Sequence, residues 1–210
     1  MNGAAVSLGP LLFALQGRVP DASSPSHNLG IDALRRRDPE AWRNLFEREM
    51  PAIHRYVVTR VGTADAEDIT SHVFAEAWEN AGLLEDRGLP ARAWLFGIAR
   101  NVVNTHRRRW LRKPPEISLA GVDLPQPGGA AASDLIDLAA AVRSLPRSQA
   151  EVVMLRFVHG LSLAETAEAL HTTVDSIKAR QARALAALRD RLHIETHEIG
   201  RAPAVPARSS

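Results

Sequence analysis

Apolar residues recur along the first half of the chain at steps of three and four, which is the spacing of one face of a helix. Trp42, Leu45, Phe46, Met50, Ile53, Val57 and Val61 form the first such stripe. Asp38-Pro39 supplies its start, with Asp as N-cap and Pro at the first helical position. A bend is expected at Pro51 and a stop at Gly62. Thr63 is expected to cap a second helix, with Asp65, Glu67 and Asp68 crowding the first turn, where the helix dipole favours acids. Ala66, Ile69, Val73 and Ala77 face one way on it, Phe74 and Trp78 widen that face, and Gly82 is read as its stop. A short loop, Leu83 to Pro90, leads to a third helix from about Ala91 to Trp110. Its inner face is Trp94, Leu95, Ile98, Val102 and Val103, and its other face carries Arg100, Asn101, Asn104, Arg107 and Arg108.

The pattern then breaks. Lys113 to Ser133 contains Pro114, Pro115, Pro125, Pro127, Gly128 and Gly129, the composition of an extended linker. Helical periodicity resumes near Asp134 with Leu135, Leu138, Ala139, Val142 and Leu145. A helix holding Val153, Met154 and Phe157 closes at Gly160, and two more run to about Leu192. No alternating strand pattern and no internal repeat is present. The expected fold is all-α: two small helical domains joined by a flexible Pro/Gly linker. The division is 1–28 a disordered leader, 29–112 the first domain, 113–133 the linker, 134–193 the second domain and 194–210 a disordered tail. Function on this reading rests on two tethered modules; a single compact unit would argue against it.

The most specific local signal is Leu161 to Leu188. Ser162 with Glu165 is a capping box opening a short helix to Leu170. Thr173 caps another that begins at Val174 or Asp175. Ala167 is small where two helices cross, Leu170 and Ile177 are apolar where they pack, and the turn between has the length of a DNA-reading helix-turn-helix, the second domain containing one. Thr173, Asp175, Ser176, Lys178, Ala179, Arg180 and Arg183 are the candidate DNA-facing positions, while Ile177, Ala184, Leu188 and Leu192 turn inward. Lys and Arg attract phosphate, and Arg can hold a guanine edge through two hydrogen bonds. His171 stands where such turns commonly carry glycine; histidine tolerates a left-handed backbone better than most residues. An ordinary helical hairpin with a solvated basic face is the plainer alternative.

Composition adds constraints. The chain of 210 residues has a net charge of only +2, so the placement of charge matters more than its sum. It has no cysteine, which removes disulfides and Cys-based zinc sites. His193 and His197 flank Glu195, but no third ligand is evident, and neither a metal nor any other cofactor is expected. No phosphate loop, nucleophile elbow or paired catalytic carboxylates appears, so the chain does not read as an enzyme. The apolar run Ala4 to Leu15 is too short and too broken by Gly9 and Pro10 to enter a membrane. A cytoplasmic protein without membrane insertion is expected.

Three motifs then carry a resemblance. Ala66-Glu67-Asp68-Ile69, followed by Val73-Phe74 and Ala77-Trp78, resembles the polymerase-binding helix of extracytoplasmic-function (ECF) RNA polymerase sigma factors of the sigma-70 superfamily. Trp94-Leu95-Phe96-Gly97-Ile98-Ala99-Arg100-Asn101, ending in Arg107-Arg108-Arg109, is similar to their promoter-melting helix, and Leu145-Pro146 to Leu188 to their upstream-reading domain. Together these span roughly residues 35 to 192, in family order and with a linker between. The resemblance implies a sigma factor that binds core RNA polymerase and directs it to promoter DNA. It implies polymerase contacts from Glu67, Asp68, Ser71 and Phe74, although many relatives carry Gln-Glu where this chain has Ser71-His72. It implies that the Leu83–Pro90 loop cradles an extruded base, that Arg100, Asn101, Asn104, Arg107 and Arg108 line the displaced strand, and that Trp94 braces the fold or stacks on DNA. An anti-sigma factor is a further partner the family suggests, with no direct sign in the sequence. A stand-alone helix-turn-helix regulator, or an enzyme with a DNA-binding appendage, are the competing readings.

Overall fold

The structure, a computed structural model, describes residues 30–110 and 138–192. The leader, the whole of the linker and the tail lie outside the described residues, as does the His193/His197 pair.

The first block opens with α1 (Ile31–Arg35) and α2 (Pro39–Val61). Asp38 caps α2 as expected: its carboxylate accepts from the Glu40 and Ala41 amides at 3.1 and 2.9 Å, and Pro39 needs no amide partner there. Pro51 is accommodated within one helix, and α2 ends at Gly62, whose φ of +86° suits a residue without Cβ. The indole of Trp42 donates to the Leu34 carbonyl at 3.0 Å and ties α1 to α2. α3 (Ala66–Glu79) follows. Here two expectations are corrected. The N-cap of α3 is Asp65, and no side chain caps it, so Thr63 does not serve that role. Nor does Gly82 stop the helix; α3 ends at Glu79, and Gly82 lies inside the tight turn Ala81–Leu83 that comes next. α4 (Ala91–Trp110) begins and ends where the periodicity placed it.

The second block comprises α5 (138–143), α6 (Arg147–Val153), α7 (Leu163–Ala169) and α8 (Val174–Arg191). The end of α6 widens over Met154–Val158, where the His159 amide reaches back five residues to the Met154 carbonyl at 3.0 Å. Such widened turns cluster at functional positions, and this one sets His159 at the joint described next.

The two blocks are each all-helical, as read, but they do not stand apart. Tyr56, Leu95, Phe96 and Ala99 of the first block share one buried core with Val152, Leu155, Leu161, Ala167, Ala169, Leu170 and Ile177 of the second. A smaller core of Val142, Leu145, Val153, Met154, Ala184 and Leu188 serves the second block alone. The main crossing is α4 on α7. A Cβ built at Gly97 would lie 3.7 Å from the Ala169 carbonyl oxygen, so the two backbones meet across little more than one methyl group. Residues 95–99 are buried without a break, as a helix packed on two opposite sides requires. His159, 4% exposed, inserts its ring against Tyr56 and Phe96, with centroids 5.4 and 5.7 Å away.

Candidate nucleic-acid interface

The helix-turn-helix forms through the caps its sequence announces. The Glu165 amide donates to the Ser162 hydroxyl at 3.1 Å, and the Ser162 amide donates to the Glu165 carboxylate at 2.7 Å. The Thr173 hydroxyl accepts from the Ser176 amide at 3.2 Å and starts α8. His171 occupies the left-handed region at φ +49°, in the position where glycine is usual. A residue that periodicity did not single out fixes the pair from below. Arg156, 6% exposed, donates to the Leu161 carbonyl and, at 3.1 Å, to Gln181 on α8. Burial lowers its pKa, against the pull of Glu165.

On α8, Ile177, Ala184 and Leu188 are buried as read, while Leu192, read with them, caps the helix and is only half-buried against the second core. Thr173, Asp175, Lys178, Ala179 and Arg183 are exposed, and Ser176 and Arg180 are half-buried. Lys178 pairs with Asp175 at 3.5 Å in full solvent, a contact too weak to withhold the ammonium from a phosphate. Arg183 spends its Nε on the Ala179 carbonyl at 3.2 Å and keeps its terminal nitrogens outward.

α4 differs. Asn101 and Arg108 are exposed, but the other polar positions read as DNA-facing are engaged. Arg100 Nε pairs with the buried carboxylate of Glu151 at 3.0 Å. The Asn104 carbonyl oxygen accepts from Arg147 at 2.5 Å. Arg107, expected on the outer face, is only 9% exposed. Its pKa is lowered, first by burial and then by the charges of Arg147 and Arg60. The reason is helical phase: Arg107 follows the buried Val103 by four residues and lies on the same stripe. Trp94 is half-buried against the shared core.

The loop before α4 encloses a cavity of about 220 Å³ lined by Leu84, Pro90 and Trp94 and, from the second block, Glu168 and His171. Arg87 on that loop pairs with Glu168 at 3.1 Å. Glu151, Glu168, Arg147 and His159 were not legible as site residues, because their partners lie 43 to 81 positions away in sequence.

On α3, Glu67, Asp68 and Ser71 are exposed. Phe74 is not; it is 8% exposed and packs edge-on against Phe46 at 4.8 Å. The neighbouring apolar surface is carried instead by Phe46 and Trp78, at 45% and 41% exposure. No cluster of side chains able to hold a metal ion occurs among the described residues, and no helix among them is long and apolar enough to cross a membrane.

Comparison with known proteins matches both blocks separately. The family model for Sigma-70 region 2 covers residues 45–112, and that for Sigma-70 region 4 covers residues 135–188. The ECF RNA polymerase sigma factor BldN of Streptomyces coelicolor is 34% identical over 180 residues, 81% of this chain and 68% of the relative. The ECF sigma factor SigD of Mycobacterium tuberculosis is 31% identical over 167 residues, 74% of this chain and 78% of the relative. The fold is also that of the sigma factor RpoE of Bartonella quintana, solved with the anti-sigma factor NepR, at a TM-score of 0.56 and 23% identity over 73% of this chain and 97% of that one. The order of the two matched regions, and the identity to BldN across both, establish that this chain belongs to the ECF family of sigma-70 RNA polymerase sigma factors.

Proposed function

We propose that this sigma factor works through three surfaces. Glu67, Asp68 and Ser71 on α3, beside the exposed Phe46 and Trp78, engage core RNA polymerase. α4 and the loop before it, with Asn101, Asn104, Arg100 and Arg108, hold the melted strand and an extruded base. α8 reads the upstream element in the major groove through Ser176, Lys178, Ala179, Arg180 and Arg183, with Thr173 and Asp175 at its leading end. The proposed domains are 29–112 and 134–193. Bond-making belongs to the polymerase, so the chain itself is not an enzyme, and its place of work is the cytoplasm. The solved relative bound to an anti-sigma factor supports a partner of that kind for this chain as well.

The observation that carries the reading is α8. Ile177, Ala184 and Leu188 turn inward, and Lys178 and Arg183 stand on the exposed side of a capped helix whose turn is short. A stand-alone regulator is not favoured, since it leaves the matched region 2 without a task. The test is transcription with purified core polymerase. The expected outcome is promoter-dependent product only when this chain is present. Arg183→Ala should cost about 1–3 kcal/mol at one promoter position if it holds a base edge, or lower the salt slope by about one if it holds a phosphate. No start site from any upstream region would end the proposal.

A further inference from the structure

Three arginines meet near the C-terminal end of α4. Arg60 comes from the last turn of α2, Arg107 from α4 and Arg147 from the start of α6. Arg147 reaches the side-chain oxygen of Asn104 at 2.5 Å, on the same helix face as Arg107, and Arg60 lies over the Tyr56 ring at 5.1 Å. The charges of Arg147 and Arg60 both act on Arg107, as neighbours do. Two of the three are sunk in the protein, Arg60 at 6% and Arg107 at 9% exposure, while Arg147 is exposed. Nearby arginines are neutralised by buried carboxylates: Glu49 holds Arg92 at 3.3 Å, and Glu151 holds Arg100 at 3.0 Å. Among the described residues no carboxylate pairs with Arg60, Arg107 or Arg147. Nε and Nη2 of Arg60, the two nitrogens of one guanidinium edge, are buried with no hydrogen-bond partner there. An unpaired buried guanidinium is costly, and arginine does not shed its proton to escape the cost.

The geometry points to an oxyanion site: Arg60, Arg107 and Arg147 together hold one anion of the phosphate class, either free in solution or as a phosphodiester of a nucleic-acid strand. The ligand supplies the counter-charge that the surrounding side chains omit. A guanidinium edge suits it, because two parallel N–H groups match a pair of phosphate oxygens. The orphaned edge of Arg60 is such a fork, and Arg107 and Arg147 add charge that favours a multiply charged anion over chloride. Because that edge is covered, the ligand enters by displacing a side chain, and Arg147, exposed and held by Asn104, is the one placed to swing aside. None of the three arginines belongs to the surfaces of the proposed function, so the site stands or falls apart from that reading.

The test is thermal unfolding of the full-length protein by itself, in sodium phosphate and in sodium chloride of equal ionic strength. With phosphate at about ten times its Kd, the midpoint should rise by roughly 3–6 °C over the chloride value. Arg60→Met keeps the length of the side chain and removes the fork, so it should lose that rise. Arg60→Lys keeps the charge alone and should retain only part of it. Should Arg60→Met not fold, Arg107→Met carries the same expectation. A second arm replaces phosphate with a short single-stranded oligonucleotide. A rise with phosphate identifies the free anion as a ligand; a rise with the strand alone, lost in Arg60→Met, identifies the phosphodiester. Equal midpoints in phosphate, oligonucleotide and chloride would overturn the proposal. So would a rise that survives both Arg60→Met and Arg107→Met, since phosphate also stabilises folded proteins by exclusion from their surface.

Discussion

α4 and α8 are the two helices proposed above to meet DNA, and they solve opposite packing problems. α8 is amphipathic in the ordinary way: Ile177, Ala184 and Leu188 go in, while Lys178 and Arg183 stay exposed among the described residues. α4 is wrapped. One side meets α2 and α3 and the other meets α7, so even Gly97 and Ala99 are buried. A helix packed on one side has a free functional face by default. A helix packed on two sides keeps only the strip between its neighbours, which on α4 carries the exposed Asn101 and Arg108.

The comparison breaks most severely at Ile177, which lies on α8 but in the core shared with α4. It is fully buried, so Ile177→Ala should cost about 2–5 kcal/mol. Chemical denaturation followed by circular dichroism measures the loss. Leu188→Ala, in the second block's own core, provides the contrast. Because the blocks share the first of these cores, Ile177→Ala loosens both and Leu188→Ala loosens only the second. Hydrogen exchange along α4 should rise for the first substitution alone.

His159 gives a smaller and more selective lever. Its pKa is lowered to about 3, first by burial and then by the charges of Arg60, Arg55 and Arg92 around it. In the unfolded or undocked chain the ring returns to the ordinary value near 6.5. The open form therefore binds more protons as pH falls, and the stability His159 permits is complete above about 6.5 and drains away towards about 3, at about 1.4 kcal/mol per pH unit. The ring faces Tyr56 and Phe96, and no carboxylate bonds either nitrogen. His159→Phe should keep the edge-on packing, remove the unpaired nitrogens and raise stability at neutral pH by about 1–2 kcal/mol. The melting temperature of the wild type should then fall more steeply between pH 7 and pH 5 than that of the variant. Parallel pH profiles would show that the ring is solvated and the joint already open.

Much of this architecture is written locally. The Asp38-Pro39 start, the capping box at Ser162, the Thr173 cap and the left-handed His171 all depend on neighbours within a few residues, and each is where the sequence puts it. The docking is not local. It depends on Gly97, Ala99, Ala167 and Ala169, and small residues give almost no periodic apolar signal, though they let backbones approach. Its rim pairs Arg100 with Glu151 and Arg87 with Glu168, charges that read as solvated faces when each helix is considered by itself. Arg107 went astray for a related reason. Its charge argued for solvent while its phase, four residues after Val103, argued for the core, and phase won because an arginine's aliphatic stem can lie along apolar surface.

The gentlest test acts at that rim. Arg87 and Glu168 face each other at 3.1 Å, with the arginine also reaching Glu85 at 2.7 Å, and both partners retain solvent contact. Glu168→Arg replaces attraction with like-charge repulsion at the mouth of the loop cavity and leaves the Gly97–Ala169 crossing intact. A solvated pair contributes little, so the fold should keep its melting temperature within error. The substitution also frees Arg87 from its partner on the second block, however. With core polymerase limiting, Glu168→Arg should raise promoter-dependent transcription modestly, and added salt should shrink the gain by screening the repulsion. Glu168→Gln separates the two causes, since it breaks the pair with Arg87 without adding a cation. A gain that comes from freeing Arg87 persists in part in Glu168→Gln. A gain made instead by the introduced guanidinium touching the nucleic acid is lost.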